Sequence, residues 1–276
     1  MRLQHLGLIG AGSIVREMFA VLDRALPNPL GRITVLVRPG RADAARAALG
    51  GFAGATNHLD VIETAAGFIA QPPDLVIEAA GHGAVAAYVP DLLRHGIETV
   101  IASTGALSDP ALYQTLTQAA IDGDTRLVLP AGAVGAMDIL AALAPADIGQ
   151  VTYTSRKPPM AWQGTKAHDQ LDLAALTRET IFFEGDARTA AADYPKNANV
   201  AATIALAGVG FDDTRVQMIA DPTVAANIHS FAVTSDAAEL QVRIEGKPSP
   251  NNPKTSLPTV YSLVREVLRR VLPIVS

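Results

Sequence analysis

The chain has 276 residues, of which 49% are hydrophobic and 18% are charged, and its net charge is −5. This length is more than one small core usually needs, so we expect two lobes. The acidic balance offers no basic field for nucleic acid, and the lack of cysteine excludes disulfides, thiolate zinc sites and thiol nucleophiles. No signal-peptide pattern or membrane-spanning apolar stretch is present, so we expect a cytoplasmic protein with no membrane partner.

The first predicted elements are a buried strand, a glycine turn and a helix. Residues 6–9 form an apolar run that ends at Gly10-Ala11-Gly12, and helical spacing of apolar residues follows. In dinucleotide-binding domains the first glycine permits the turn and the second lets the backbone approach a pyrophosphate, whose charge the helix N-terminus binds. We therefore expect cofactor contacts at Gly10, Gly12, Ser13 and Ile14.

This turn reads G-x-G-x-x-V, with Val15 where a third glycine usually serves helix–strand packing. The absence of this glycine affects the expected close packing of the helix on the strand more than it affects phosphate binding. Because the motif alone is weak evidence, an ordinary strand–turn–helix without a cofactor is the alternative.

The second predicted strand, residues 32–37, is followed by Arg38-Pro39-Gly40-Arg41. An NAD-binding domain usually has an Asp or Glu here, which accepts hydrogen bonds from the adenosine ribose. Two guanidinium groups without a carboxylate instead favour the 2′-phosphate of NADP, with Arg38 as a cofactor contact. The alternative is that Arg38 only stacks on the adenine, so NAD and NADP both remain candidate cofactors.

Strands and helices keep alternating as far as Pro130, which predicts a doubly wound parallel sheet, an N-terminal Rossmann domain over residues 1–130. The strands are expected at 73–80, 98–103 and 126–130, and the helices at 42–49, 84–94 and from Asp109.

Beyond Asp147 the pattern changes to apolar–polar alternation, typical of half-exposed strands. We predict an α+β domain over residues 131–253, with an open, mainly antiparallel sheet and a helix at 198–207. An amphipathic helix within 254–276 is expected to return to the first domain and complete it, which would create a hinged cleft. Because such sheets often pair between subunits, we expect a homodimer. The predicted strands are 148–156, 180–184, 214–220, 228–235 and 240–245.

Five separated segments together resemble the L-aspartate dehydrogenase family, and they span nearly the whole chain in the family's order. The K-N-x-N block with a downstream N-x-H-x-F is quite specific, whereas the glycine turn is not. The resemblance implies a Rossmann domain, a catalytic domain, NAD or NADP, and oxidation of L-aspartate to iminosuccinate, which yields oxaloacetate and ammonia. The segments are GLIGAGSI at 7–14, PAGAVGAMD at 130–138, YPKNANVAATIALAG at 194–208, NIHSF at 227–231 and NNPKTS at 251–256.

Carried over to matching positions, the resemblance implies that Ala133 and Asn199 contact the cofactor. It also implies that His229 is the catalytic histidine. The chemistry agrees with this role, because oxidation of an amine needs a base that deprotonates the ammonium and later activates water. His168, in a polar segment that could form a lid, is the second candidate, and His82 could contact the cofactor. The other histidines, expected in surface or polar connections, are His5, His58 and His95.

A dicarboxylate substrate requires cationic partners. Arg156 and Lys157 end a predicted strand before two prolines, and Lys196 lies in the asparagine block. A solvated charge pair at 156–157 is an equally good interpretation. At the last helix, Asn252 and Thr255 are expected to cap rather than to contact the cofactor.

Two rival functions are open. A sugar or polyol dehydrogenase of the same architecture usually has Glu-Lys-Pro where this chain has Ser103-Thr104-Gly105, and a homoserine-type enzyme should have a lysine pattern that is not found. A non-catalytic dinucleotide sensor would keep Gly10 and Gly12 but would have no reason to hold His229 in a cleft.

Overall fold

A computed structural model describes residues 3–195, 197–249 and 252–275. Contacts divide the chain into two units, one formed by residues 1–130 with 259–276 and the other by residues 131–258. The candidate Lys196 lies outside the described residues, as do the side chains of Asn252 and Thr255.

In the described part of the first unit, six strands form one parallel sheet in the order β3-β2-β1-β4-β5-β6. Parallel strands covered on both faces read as continuous apolar runs, and the central strands here are almost wholly buried. This strand order is that of a Rossmann fold, as predicted. The strands are β1 (His5–Ile9), β2 (Arg32–Leu36), β3 (Leu59–Ile62), β4 (Leu75–Glu78), β5 (Thr99–Ile101) and β6 (Leu127–Val128).

Helices follow the strands of this unit in a regular alternation. Asp109 caps its helix, because its carboxylate accepts hydrogen bonds from the backbone N–H groups of Ala111 and Leu112. Strand β3 and its helix were not predicted, because both are short and neither has a clear period. The helices are α1 (Ser13–Ala25), α2 (Ala42–Leu49), α3 (Ala66–Ala70), α4 (His82–Arg94) and α5 (Pro110–Asp122).

Val15 is fully buried in the main hydrophobic cluster of this unit, together with Met18, Phe19 and Leu22 of the same helix. Its side chain fills the space that a third glycine would leave, so α1 packs through a valine contact. The departure from the motif therefore does not disturb the packing of the turn.

In the described part of the second unit, five strands form a sheet in the order β11-β10-β7-β9-β8. The β7–β9 pair is parallel and the other pairs are antiparallel, which confirms the prediction of a mainly antiparallel sheet. The strands are β7 (Ile148–Lys157), β8 (Thr180–Asp186), β9 (Thr214–Ala220), β10 (Asn227–Ser235) and β11 (Glu239–Gly246).

One face of β7 is buried, and its residues alternate with half-exposed ones. Helix α9 packs on this buried face, which is the inner face of the sheet. The end of α9 at Gly208 lies close to Val151 of β7 and to Leu140, which belongs to a helix before the sheet. A short strand pair follows the sheet, and it leads to the C-terminal helix. These elements are α6 (Met137–Leu143), α7 (Lys166–Gln170), α8 (Ala187–Asp193), α9 (Asn199–Ala207), β12 (Pro248–Ser249), β13 (Asn252–Ser256) and α10 (Leu257–Val271).

The C-terminal helix α10 contributes Val260, Leu263, Val264 and Val267 to the core of the first unit. An apolar stripe of this kind repeats at helical spacing, and its burial explains why the chain returns to that unit. None of the described helices combines the length and apolarity that crossing a membrane requires.

The outer face of the second sheet is mostly polar, with residues such as Thr152, Thr154, Gln217 and Arg243. If this sheet pairs between subunits, as the homodimer prediction assumes, this face of the described strands offers mainly polar side chains for the contact. The homodimer stays a prediction, which light scattering of the purified protein would test.

Candidate functional site

The turn between β1 and α1 has the geometry of a phosphate-binding turn. Gly10 has a φ of +103°, and a Cβ there would lie 3.1 Å from the carbonyl oxygen of Ala79, so a side chain would be strained. Gly12 is the N-cap of α1 and has no side chain to cap the helix, and nothing lies within 4 Å of where its Cβ would be. The helix start thus offers backbone N–H groups and open space to an anion.

A pocket of about 750 Å³ opens over this turn, at the carboxyl ends of β1 and β4. The strand order reverses between these two strands, which is where dinucleotides bind in folds of this type. Gly10, Gly12 and Arg38 line the pocket, as predicted cofactor contacts should. Ser13 and Ile14 do not line it, although they form the first turn of α1.

The charged side chains on the pocket lining are all basic: Arg16, Arg38 and Arg41. Arg38 and Arg41 are exposed, and no hydrogen bond or ion pair joins these three guanidinium groups to any residue that the structure describes. Unpaired guanidinium groups beside a dinucleotide-sized pocket are suited to a phosphate. The prediction from Arg38 and Arg41 therefore gains a third cation, Arg16.

Glu63 satisfies the backbone at the start of α2. Its Oε1 atom accepts hydrogen bonds from the N–H groups of Gly40, Arg41 and Ala42, at 2.8, 3.2 and 3.2 Å. A phosphate near this loop would therefore be bound by the arginine side chains rather than by the start of α2.

A buried carboxylate, Glu78, holds the turn that follows β4. It accepts hydrogen bonds from the backbone N–H groups of Ala80 and Gly81, at 2.6 and 2.7 Å, and from the hydroxyl of Ser103 at 3.0 Å. This turn contributes Ala80 to the pocket, and Gly81 has a φ of +117°. His82, a candidate cofactor contact, begins α4 but is not on the pocket lining.

In the second unit, His229 lies on β10, opposite Ser155 of β7. Its side chain is on the inner face, and the residue is only 5% exposed. The Nδ1 atom lies 2.8 Å from the hydroxyl of Tyr153, and the two rings are nearly parallel. Nε2 has no hydrogen-bond partner among the described residues, so this nitrogen is available to a ligand.

The Tyr153 hydroxyl determines which nitrogen of His229 can act as a base. Burial raises the pKa of Tyr153 far above its ordinary value, so the phenol stays neutral. If Nδ1–H donates to the phenol oxygen, the lone pair of Nε2 is free to accept a proton. The Ser155 hydroxyl, buried on the same face, has no hydrogen bond of good geometry in the described structure. It is therefore a ready acceptor for the phenol proton.

Lys157 lies on the same buried face of the sheet as Tyr153 and His229, and these three side chains form a polar row. Lys157 is only 7% exposed. Its Nζ donates a hydrogen bond to Oδ1 of Asn197 at 2.7 Å and lies 4.6 Å from the centre of the Trp162 ring. Burial lowers the pKa of Lys157 to about 8. No carboxylate among the described residues forms an ion pair with this ammonium group.

The imidazole of His229 is neutral in this environment. Burial, and then the positive charge of Lys157, lower the pKa of His229 to about 3. The base is thus present in its unprotonated form, but burial and, to a smaller extent, the uncompensated charge of Lys157 make it a weak base.

Arg156, the neighbouring candidate for binding a dicarboxylate, does not lie on the same face as Lys157. Adjacent residues of a strand point to opposite faces, and Arg156 is ion-paired with Glu179 and Asp221. Its charge is balanced within the protein, so Arg156 is not a free cation for the substrate.

The remaining histidines are not part of this row. His168 is exposed on α7, and His58 and His95 are also exposed. His5 lies within β1 rather than before it, and its Nε2 is 2.8 Å from the Thr34 hydroxyl. No group of His, Asp or Glu in the described part of the chain could hold a metal ion.

Ala133 and Asn199, the other predicted cofactor contacts, both belong to the second unit. Ala133 is buried shortly before α6, and Asn199 is the first residue of α9. Their cofactor contacts stay predictions.

Tyr153, Glu78 and Arg16 were not predicted from the sequence. Tyr153 could have been found, because it shares the period of two that Val151 and Lys157 follow on β7. Glu78 had a weaker signal, a carboxylate at the end of an otherwise apolar strand. Arg16 had none, since helix surfaces are commonly charged.

The comparisons with known proteins agree with this architecture. Family models match residues 10–130 (homoserine dehydrogenase, NAD binding domain) and 138–270 (aspartate dehydrogenase, C-terminal). The L-aspartate dehydrogenases of Ruegeria pomeroyi and Ralstonia nicotianae are 45% and 43% identical over 96% of this chain, and over 92% and 97% of their own. The crystal structure of aspartate dehydrogenase from Thermotoga maritima has a TM-score of 0.75 at 26% identity, covering 100% of both chains. The chain belongs to the L-aspartate dehydrogenase family.

Proposed function

We propose that this chain catalyses the NAD(P)-dependent oxidative deamination of L-aspartate to iminosuccinate, which hydrolyses to oxaloacetate and ammonia, and also the reverse amination. Family membership supports the substrate. The observation that carries the chemistry is the buried imidazole of His229, with Nδ1 held by Tyr153 and with Nε2 unpartnered in the described structure.

The proposed role of His229 follows from what oxidation of an amine requires. The substrate arrives as an ammonium ion, and its nitrogen must lose a proton before its lone pair can form the C=N bond. His229 Nε2 accepts that proton, while Nδ1–H donates to Tyr153. After the hydride has left the α-carbon and the imidazolium has released its proton to solvent, the same imidazole removes a proton from the water that attacks the imine carbon.

The residues of the first unit fit a dinucleotide. The open space at Gly12 and the uncapped start of α1 suit a pyrophosphate, with backbone contacts from Gly10 to Ile14. When bound, NAD or NADP supplies the acceptor for the hydride. We propose that Ala133 and Asn199 also contact the cofactor.

We further propose that NADP is accepted through Arg38. Arg16 and Arg41 line the same pocket, and its lining has no carboxylate that would bind the ribose hydroxyls or repel a 2′-phosphate. Because Glu63 occupies the backbone donors of the α2 start, discrimination between the cofactors depends on these side chains.

Substrate and cofactor can be tested together by following reduction of the nicotinamide at about 340 nm. The protein is incubated with NAD or NADP and one of L-aspartate, L-asparagine, L-glutamate, L-homoserine or a polyol. We expect turnover with L-aspartate and little with the others. Turnover only with an alcohol, or with no compound despite cofactor binding, would contradict the proposed function and favour the polyol dehydrogenase or the sensor.

A further inference from the structure

We propose that Lys157 is the cation that binds a carboxylate of the substrate, and that this ion pair makes His229 a stronger base. The inference rests on the proposed function, since it assigns a substrate-binding residue to the same site. The observation behind it is a buried cation whose charge no described residue neutralises.

The charge on Lys157 is costly where it lies. A buried ammonium loses its hydration and needs partners that replace it. Oδ1 of Asn197 accepts a hydrogen bond from one of the three N–H groups of Lys157, and the Trp162 ring lies against the ammonium group. Neither partner carries a negative charge. Its neighbour Arg156 shows the alternative, because two carboxylates of the same unit balance its charge.

The missing partner is therefore an anion that comes from outside the chain. A carboxylate fits best, since the remaining N–H groups of a lysine bind it as a point charge with charge-assisted hydrogen bonds. Lys157 also retains some exposure, so the ammonium is not sealed from solvent.

Lys157 and His229 are close enough to act on one small molecule. His229 faces Ser155 across the β7–β10 pair, and Lys157 is two residues further along the same face. Diagonal neighbours of this kind are roughly 7–8 Å apart at their backbones, and both side chains are long. An amino dicarboxylate can thus present one carboxylate to Lys157 and its amine to Nε2 of His229.

The same arrangement links substrate binding to the strength of the base. Within the described structure, the titratable groups on the face around His229 are the Tyr153 phenol, which burial keeps neutral, and the Lys157 ammonium. The residues paired with His229 and Ser155 on the flanking strands, Ile244 and Met218, are apolar. Burial is the larger cause of the low pKa of His229 and remains, but a bound carboxylate compensates the charge of Lys157 and so removes the smaller cause.

The first test compares Lys157→Met and Lys157→Arg, with Lys166→Met as a matched control. Lys166 lies in the same unit but is exposed and paired with Asp193. The KM for L-aspartate and the inhibition constant of succinate, a dicarboxylate without an amine, are measured with saturating cofactor. We expect Lys157→Met to raise both by roughly a hundredfold, Lys157→Arg by about tenfold or less, and Lys166→Met to change neither.

The kcat of Lys157→Met should fall less than its KM rises, because removing the charge also removes a cause of the weak basicity of His229. The proposal would be overturned if Lys157→Met lowered kcat but left the inhibition constant of succinate unchanged, since Lys157 would then act in proton transfer and not in binding the carboxylate. Unchanged constants in both variants would also overturn it. Thermal melting of each variant separates these effects from loss of the fold.

The second test follows the ¹⁵N signals of the His229 imidazole, assigned by their disappearance in His229→Asn. Succinate should shift its titration to higher pH in the wild type, but not in Lys157→Met. No shift in the wild type overturns the coupling. If the wild type binds succinate through Lys157 but does not oxidise L-aspartate, the proposed function fails while the carboxylate site stands.

Discussion

The candidate cofactor site of the first unit and the polar row of the second unit use different chemical groups to bind their ligands. The first relies on backbone: a glycine with positive φ, an uncapped helix start and a turn held by Glu78. The second relies on side chains, namely Tyr153, Lys157 and His229, buried on one sheet face. The difference teaches that substitutions in the first should change stability and cofactor affinity, whereas those in the second should change chemistry.

Two buried charges show the contrast most clearly. Glu78 is fully buried, and backbone N–H groups and a serine hydroxyl of its own unit satisfy it. Lys157 is nearly as buried, but its described partners are an amide oxygen and an aromatic ring. A charge satisfied from within stabilises a local structure, whereas a charge that lacks a counter-ion is suited to binding one.

The largest expected effect is that of His229→Asn. Asparagine keeps a polar side chain but has no basic nitrogen, so kcat for L-aspartate should fall by about a thousandfold. The dissociation constant of the reduced cofactor, measured by fluorescence titration, should stay within about threefold of the wild type. A kcat within about tenfold of the wild type would contradict the role of His229 as the base.

Glu78→Ala should be the most destabilising of these substitutions. It leaves buried N–H groups of the β4 turn without acceptors, so the free energy of unfolding should fall by about 3 kcal/mol. Denaturant titration measures the change, and Glu78→Gln, which keeps one acceptor oxygen, should lose less. Equal losses in the two variants would mean that the hydrogen bonds are not the source of the effect.

Arg38→Asp should change the choice between cofactors. It replaces a cation on the pocket lining with an acceptor for ribose hydroxyls, so the ratio of kcat/KM for NADP to that for NAD should fall by roughly tenfold to a hundredfold. Arg24→Asp, an exposed position on α1 away from the lining, is the control and should leave the ratio unchanged. An unchanged ratio in Arg38→Asp would remove the argument for NADP.

A smaller effect is expected from Tyr153→Phe, because Tyr153 positions the imidazole rather than touching the substrate. Loss of one hydrogen bond to Nδ1 should lower kcat by about tenfold and leave the KM for L-aspartate nearly unchanged. The pH profile of kcat should also move, since the favoured tautomer of His229 is no longer fixed. A change confined to KM would contradict a positioning role.

The smallest effect is a pH dependence of succinate binding. Lys157 must be charged to bind a carboxylate, and burial lowers its pKa to about 8 in the free protein. Affinity should therefore be nearly constant between about pH 6.5 and pH 7, where succinate is a dianion, and should fall by about twofold by pH 8. Lys157→Arg should lose this dependence, because arginine stays charged.

The sequence predicted the first unit better than the second for a physical reason. Parallel strands buried on both faces, and the glycines between them, leave a strong pattern, so β1, β2 and β4 were found within a few residues. Alternation in the second unit revealed strands but not their direction, and thus not that β7 and β9 run parallel. The roles of Tyr153 and Lys157 depend on which face of β7 is covered, and only packing against α9 decides that.

The most direct test is a crystal structure of the protein with reduced cofactor and succinate. We predict that one succinate carboxylate lies about 3 Å from Nζ of Lys157, with Nε2 of His229 directed at the carbon that would bear the amine. Succinate bound elsewhere, with His229 facing neither it nor the nicotinamide, would contradict the assignment of His229 as the base for amine oxidation.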